Sequence, residues 1–257
     1  METPLTTPLS FNYLYILDCA ARQSTGKKDS AILDYGCGIA QTVVAGRARG
    51  LNIYGAEVFQ NGSADRAKVA ATGLLGTLVR EIREDVIDFP DEQFDFIFSN
   101  QVLEHVVDID KVLKEIHRVL KPGGKALHLF PSKDVWREGH TGIPFLHWFP
   151  KDSQLRYPYG RSLQALGFGN WEGWPLPGML DYLDNSCFYR SRKALFTVFS
   201  KYFNITLIED DYIRARLSQS RLHFLTPMIQ WPIIKPFAKE AFRKLGGMVL
   251  LTTKRAV

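Results

Sequence analysis

The run Ala31-Ile32-Leu33-Asp34-Tyr35-Gly36-Cys37-Gly38-Ile39-Ala40 constrains this chain more than any other stretch. A short apolar segment, fit for a buried strand, ends in an acid and passes into a Gly-x-Gly turn. Two glycines one residue apart let the backbone turn sharply and leave no Cβ between it and a ligand. A second apolar run, Ile53-Tyr54-Gly55-Ala56, closes on Glu57, 21 residues after Gly36. A glycine turn with an acid about 20 residues on is the pattern of a nucleotide-type pocket, the acid reaching a ribose hydroxyl. The G-x-G-x-x-G of dinucleotide folds is incomplete, because Gln41 stands where the third glycine would be. An adenosine ligand without a pyrophosphate fits better, and a nicotinamide dehydrogenase is disfavoured.

The same texture continues downstream. Phe94-Asp95-Phe96-Ile97-Phe98 reads as a buried strand running into Ser99-Asn100-Gln101. Ile109, Val112, Leu113, Ile116, Val119 and Leu120 then recur at helical spacing. Asp108 or Asp110 can cap that helix, Lys121-Pro122-Gly123-Gly124 stops it, and Ala126 to Phe130 is the next strand. From residue 31 the chain alternates strands (31–35, 53–58, 77–82, 94–100, 126–130) with helices (39–49, 64–75, 109–120). This alternation predicts a parallel sheet covered on both faces, with right-handed crossovers.

Five segments in register, Leu33-Asp34-Tyr35-Gly36-Cys37-Gly38, Gly55-Ala56-Glu57, Phe94 to Asn100, Val102-Leu103-Glu104-His105 and Leu120-Lys121-Pro122-Gly123-Gly124, resemble the class I S-adenosylmethionine-dependent methyltransferases, nearest the methyltransferase-11 type. They span roughly residues 30 to 131. The resemblance implies a Rossmann-like, doubly wound, seven-stranded, mostly parallel α/β sheet with an antiparallel last strand and an insertion after the fifth. It implies S-adenosylmethionine as cofactor. Gly36, Cys37 and Gly38 would take its methionine part, Asp34 would orient that loop or the amino group, and Glu57, with Val58 beside it, would bind the ribose. Asn100 and Gln101 would flank the cofactor near the sulfonium, and Glu104 and His105 would begin the helix that closes the site, with His105 also contacting the cofactor. The family's adenine-holding Asp falls on Arg83 here, so Glu84 or Asp85 would serve by a shift, or backbone would.

The expected organisation is a single domain over 1–257: a cap helix within 1–29, the cofactor core at 30–131, an acceptor-site insertion at 132–200, and final strands with a basic, apolar segment at 201–257. The cap helix, around Phe11 to Arg22, would bury Phe11, Leu14, Tyr15 and Leu17. Four of the five tryptophans lie between positions 136 and 174, as an aromatic acceptor pocket or as the insertion's own core. Phe203 to Ile213 and Met248 to Thr252 read as the last two strands. For a hydroxyl acceptor, His105, His140 and His147 are the candidate bases, each with an ordinary structural alternative; His128 reads as structural and His117 as surface.

The three cysteines are widely spaced with no C-x-x-C, so neither a disulfide framework nor a metal site is expected. A reducing cytoplasm fits, and no secretion signal or 18-residue apolar run is apparent. Residues 212–257 hold nine Lys and Arg against one acid, Glu240. That tail is a solvated surface or a peripheral contact with an anionic or membrane surface. No nucleic-acid module accompanies its charge, and nucleic acid is not expected as a partner. The expected reaction is methyl transfer to a small-molecule acceptor, lipid-like or glycan-linked. The alternatives are an RNA or protein methyltransferase of the same fold and a non-catalytic binding module. Oligomeric state is left open.

Overall fold

The computed structural model describes residues 8–26, 29–59, 64–169 and 174–255. Trp171 and residues 1–7 of the expected cap lie outside them. Seven strands, β1 Ala31–Tyr35, β2 Asn52–Glu57, β3 Val79–Glu81, β4 Phe94–Asn100, β5 Leu120–Phe130, β6 Phe203–Leu207 and β7 Met248–Lys254, form one sheet in the order β3-β2-β1-β4-β5-β7-β6. Strands β1 to β5 pair in parallel, whereas β7 is antiparallel to both β5 and β6. This is the expected doubly wound arrangement.

Helices α1 Phe11–Ser24, α2 Gln41–Ala48, α3 Ala64–Ala71 and α4 Ile109–Val119 accompany the parallel strands. The stripe read for α4 is its buried face, and Asp108 caps it by accepting from the Lys111 N–H at 3.2 Å. Helix α2 begins two residues later than expected because Ala40 sits at φ 65, outside helical geometry. In α1 the buried stripe centres on Ile16, Leu17 and Ala20, while Phe11 and Leu14 are only half-buried.

The parallel register sets Asp34 opposite Gly55 and Phe98, so β1, β2 and β4 end on one side of the sheet. The order reverses between β1 and β4, and open α/β sheets bind ligands at such a switch point. Two apolar layers sandwich the sheet, one around Leu33, Ile97 and Phe199, the other around Ile16, Ile32 and Phe98.

Between β5 and β6 the chain adds α5 Arg156–Ala165, α6 Leu176–Ser186 and α7 Arg192–Tyr202. Ile143, Leu146, Leu176, Met179 and Leu183 give this segment a small core of its own. The strand expected over Phe203 to Ile213 is corrected: it stops at Leu207, and Glu209–Ser218 is a helix, α8. Glu209, Asp210 and Asp211 fill the first turn of α8, where the helix dipole favours acids. A 3-10 stretch, His223–Gln230, and α9 Ile234–Leu245 complete a helical block before β7. No helix among the described residues is long and apolar enough to cross a membrane.

Candidate active site

A cavity of about 1030 Å³ opens where β1, β2 and β4 end. The backbone at Gly36, Cys37 and Gly38 forms one wall. Gly36 has φ 79, and a Cβ there would lie 2.3 Å from Val102 Cγ2, so any side chain is both strained and blocked. Gly38 has φ 53, and its Cβ position meets no protein atom within 4 Å, so bare main chain faces the cavity. The turn is pinned by the Gly36 N–H donating to the Ala56 carbonyl at 2.8 Å.

Glu57 stands opposite. Its Oε2 accepts from the Gly38 N–H at 2.6 Å and its Oε1 from the Val58 N–H at 2.9 Å. Both oxygens are held in fixed directions and keep a lone pair for a ligand. Glu57 and Val58 line the cavity, as do Asn100, Gln101 and His105. Asn100 accepts from Asn12 Nδ2 at 3.2 Å, and Asn12 in turn accepts from the Tyr212 hydroxyl at 2.5 Å. A chain of hydrogen bonds thus runs from α8 through the cap helix to the end of β4.

Asp34 does not reach the cavity wall. It is buried and accepts from the Thr42 hydroxyl, tying α2 to β1 behind the loop. Burial, opposed by that hydrogen bond and reinforced by Glu57, pushes its carboxyl up to about 7. Glu84 and Asp85 are not brought to the cavity either: they form the exposed turn after β3, at φ 53 and 62. Ile82, just before that turn, lines the cavity instead. Ser10, Asn12 and Tyr13 of the cap and Tyr182, Asn185 and Ser186 of α6 close it, and sequence reasoning named none of them.

The three histidines separate. His105 lines the cavity, and its Nδ1 donates to the Ser186 carbonyl at 2.6 Å, which leaves Nε2 as the basic nitrogen. Burial lowers its pKa and favours the neutral ring. His140 packs edge-on to His105, with 5.0 Å between ring centroids, one layer behind the cavity wall. Its Nδ1 bonds Glu138 Oε1 at 2.7 Å, and the Tyr189 hydroxyl donates to the same oxygen at 2.5 Å. Burial opposes the Glu138 charge, but hydrogen bonds from His140, Tyr189 and two backbone N–H groups hold its pKa at about 2. Burial likewise opposes charge on His140, and contacts with Cys187 and Glu138 raise it to about 10. His147 lines a different cavity. The Glu138-x-His140 spacing was the one sequence signal that could have exposed this network.

Glu104, the residue before His105, is 2% exposed, and neither of its oxygens has a hydrogen-bond partner. Burial, first among its influences, raises its pKa to about 7. Ligand atoms of His105, His140 and Cys187 lie within 4.8 Å of one another, a donor set that could hold a zinc-type ion and that no sequence spacing announced.

Known proteins share this frame. Residues 33–128 match the methyltransferase domain family. Over 72 residues the chain is 39% identical to the ubiquinone/menaquinone biosynthesis C-methyltransferase UbiE of Vibrio vulnificus, covering 28% of each protein. Over 149 residues it is 35% identical to the demethylmenaquinone methyltransferase of Geobacillus stearothermophilus, covering 56% of this chain and 58% of that one. The chain thus spans between about a quarter and three-fifths of the length of these two relatives. A Listeria monocytogenes crystal structure classed with the S-adenosylmethionine-dependent methyltransferases superposes with a TM-score of 0.52 at 15% identity, over 95% of this chain and 98% of that one. The matched segment contains Gly36, Gly38, Glu57, Asn100 and His105, whereas His140 and His147 lie outside it.

Proposed function

We propose that the protein transfers a methyl group from S-adenosylmethionine to a small-molecule acceptor with an apolar part. The observation that carries this reading is Glu57, clamped by the Gly38 and Val58 N–H groups across from bare main chain. The residues present fit the cofactor: a fixed carboxylate for two vicinal hydroxyls, an open glycine wall for the amino-acid arm, and Asn100 and Gln101 at the strand end between them. When bound, S-adenosylmethionine supplies an electrophilic methyl on a sulfonium. The protein's own work is alignment, which can supply roughly 7–11 kcal/mol. For a hydroxyl acceptor, His105 Nε2 takes the proton, with Nδ1 anchored on Ser186; a placed base adds about 10²–10⁴-fold. The quinone-related acceptors in the relatives' names support an apolar substrate. Calorimetry with S-adenosylhomocysteine and with NAD, followed by methyl-transfer assays over hydroxyl, amine and carbon acceptors, tests this. Tighter binding of NAD sinks it, and cofactor binding with no turnover on any acceptor reduces the protein to a binding module.

We further propose peripheral contact with an anionic membrane through the helical block within residues 212–257. The support is that α9 is inside out. Lys235, Lys239 and Arg243, four residues apart, turn inward onto Asp210 and the fully buried Glu209. Ile233, Phe237 and Leu245 face outward at 77, 73 and 65% exposure, with Phe224 and Trp231 exposed nearby. Arg221 and Lys244 add charge within the same segment, and mixed basic and apolar composition is that of interfacial segments. Co-sedimentation with phosphatidylglycerol vesicles that Phe237→Asp abolishes is the expected result; no sedimentation of the folded protein refutes it.

A further inference from the structure

A second cavity, of about 380 Å³, lies on the other side of Phe188, which lines both. Lys133 and Lys151 reach it from the segment after β5, Arg156 from α5, and Arg190 from the segment after α6. Asp184 is the one carboxylate in its lining and is engaged by Arg156 at 2.6 Å. The Arg190 guanidinium donates to the backbone carbonyls of Phe188, Val106 and Val107 at 2.8, 2.8 and 2.6 Å. Lys151 donates to the Asp184 carbonyl. Carbonyl groups fix these cations in place but do not neutralise them. A concave, half-buried wall with four cations and one anion concentrates positive potential and favours an anion over water.

A separate observation points into the same cavity. Arg156 is 4% exposed, and its Nε has no hydrogen-bond partner. His147 is 8% exposed; its Nε2 donates to the Lys133 carbonyl at 3.1 Å, which leaves a buried Nδ1 without a partner. Buried polar atoms are nearly always satisfied by protein, water or ligand, and two of the residues lining this cavity each hold one such atom without a protein partner. Guanidinium and ammonium groups together suit a tetrahedral oxyanion with several acceptor oxygens.

We propose that this cavity binds a phosphate group, carried as a phosphate ester by the acceptor. The acceptor would pass Phe188, its nucleophile beside His105 and its phosphate among Lys133, Lys151, Arg156 and Arg190. His147 then serves as an anion partner, donating through Nδ1 once protonated, rather than as a base for methyl transfer. The substrate class rests on the methyl-transfer reading; the phosphate site does not.

The test is calorimetry on the full chain, with and without S-adenosylhomocysteine, using inorganic phosphate and phenyl phosphate as probes and phenol as the uncharged control. Phenyl phosphate should bind at least five-fold more tightly than inorganic phosphate, and phenol should not bind. The double variant Lys133→Ala, Lys151→Ala should weaken phenyl phosphate at least ten-fold and leave S-adenosylhomocysteine affinity within two-fold. Proton uptake on phenyl phosphate binding should disappear in His147→Phe. Inorganic phosphate binding as tightly as the ester would overturn the acceptor assignment. No oxyanion binding by a protein that binds S-adenosylhomocysteine, or binding that the double variant leaves unchanged, would overturn the site. Oxyanion binding without any affinity for S-adenosylhomocysteine would keep the site and remove the methyl-transfer reading instead.

Discussion

The sheet half of the molecule and the segment from residue 132 to 200 build their chemistry in opposite ways. In the first, the cavity wall is backbone that a strand end positions directly: Gly36, Gly38 and Glu57 lie within 21 residues of one another, and main-chain N–H groups of Gly36 and Gly38 donate to the Ala56 carbonyl and the Glu57 carboxylate. In the second, side chains far apart in sequence assemble around a small core. Glu138, His140 and Tyr189 form one network, and Lys133, Arg156 and Arg190 line one cavity. The difference teaches that a backbone-built pocket tolerates almost no change of residue type at its glycines. A side-chain-built pocket instead depends on desolvated charges whose cost is set by their partners.

Gly36→Val breaks the comparison most sharply. The strained φ and the close approach to Val102 should abolish S-adenosylhomocysteine binding and lower the unfolding midpoint; ordinary affinity by calorimetry would show that the wall is not built from bare backbone. Next is Glu138→Gln, expected to cost on the order of 2–3 kcal/mol, since it weakens a buried, charge-assisted network. Its pH dependence carries the sign. With its pKa raised to about 10, His140 contributes stability that is complete below about 6.5 and lost as pH rises toward 10. Glu138, lowered to about 2, contributes above about 4.5 and loses it as pH falls toward 2. Denaturant midpoints against pH should lose most of the alkaline slope in the variant.

Glu57→Ala follows, with a loss of about 1.5–3 kcal/mol in cofactor affinity and little change in fold, read by the same calorimetry. The smallest effect sharpens the boundary between the two regions. Glu104 has a folded pKa raised to about 7, so its ionisation destabilises the fold progressively between about 4.5 and 7. Glu104→Gln should therefore raise stability by about 1–2 kcal/mol at pH 8 and change little at pH 4. An unchanged pH profile would mean that the carboxylate has a partner in solution.

What could be read in advance follows the same division. The strands β1, β2 and β4 and the stripe of α4 follow local periodicity, and Glu57 follows spacing from a glycine turn. Asn12, Tyr13 and Tyr182 were illegible because no local pattern marks a side chain that meets a cavity only after distant elements dock. Glu84 and Asp85 were named by counting along the chain, and counting cannot see that the backbone turns left-handed there and leaves both outside. The strand expected to run to Ile213 ends at Leu207, because Glu209, Asp210 and Asp211 open a helix instead. Their charge density at a helix start was in plain view, and their partners on α9 were not.

The thread of amide and phenol groups from Tyr212 through Asn12 to Asn100 gives the outer helices a mechanical grip on the pocket's rim. The cap helix at the cavity's edge is tethered to α8 as well as to the sheet beneath it. Two hydrogen bonds therefore join α8 to the end of β4, so a change in how α8 packs reaches the rim of the cavity through the cap helix.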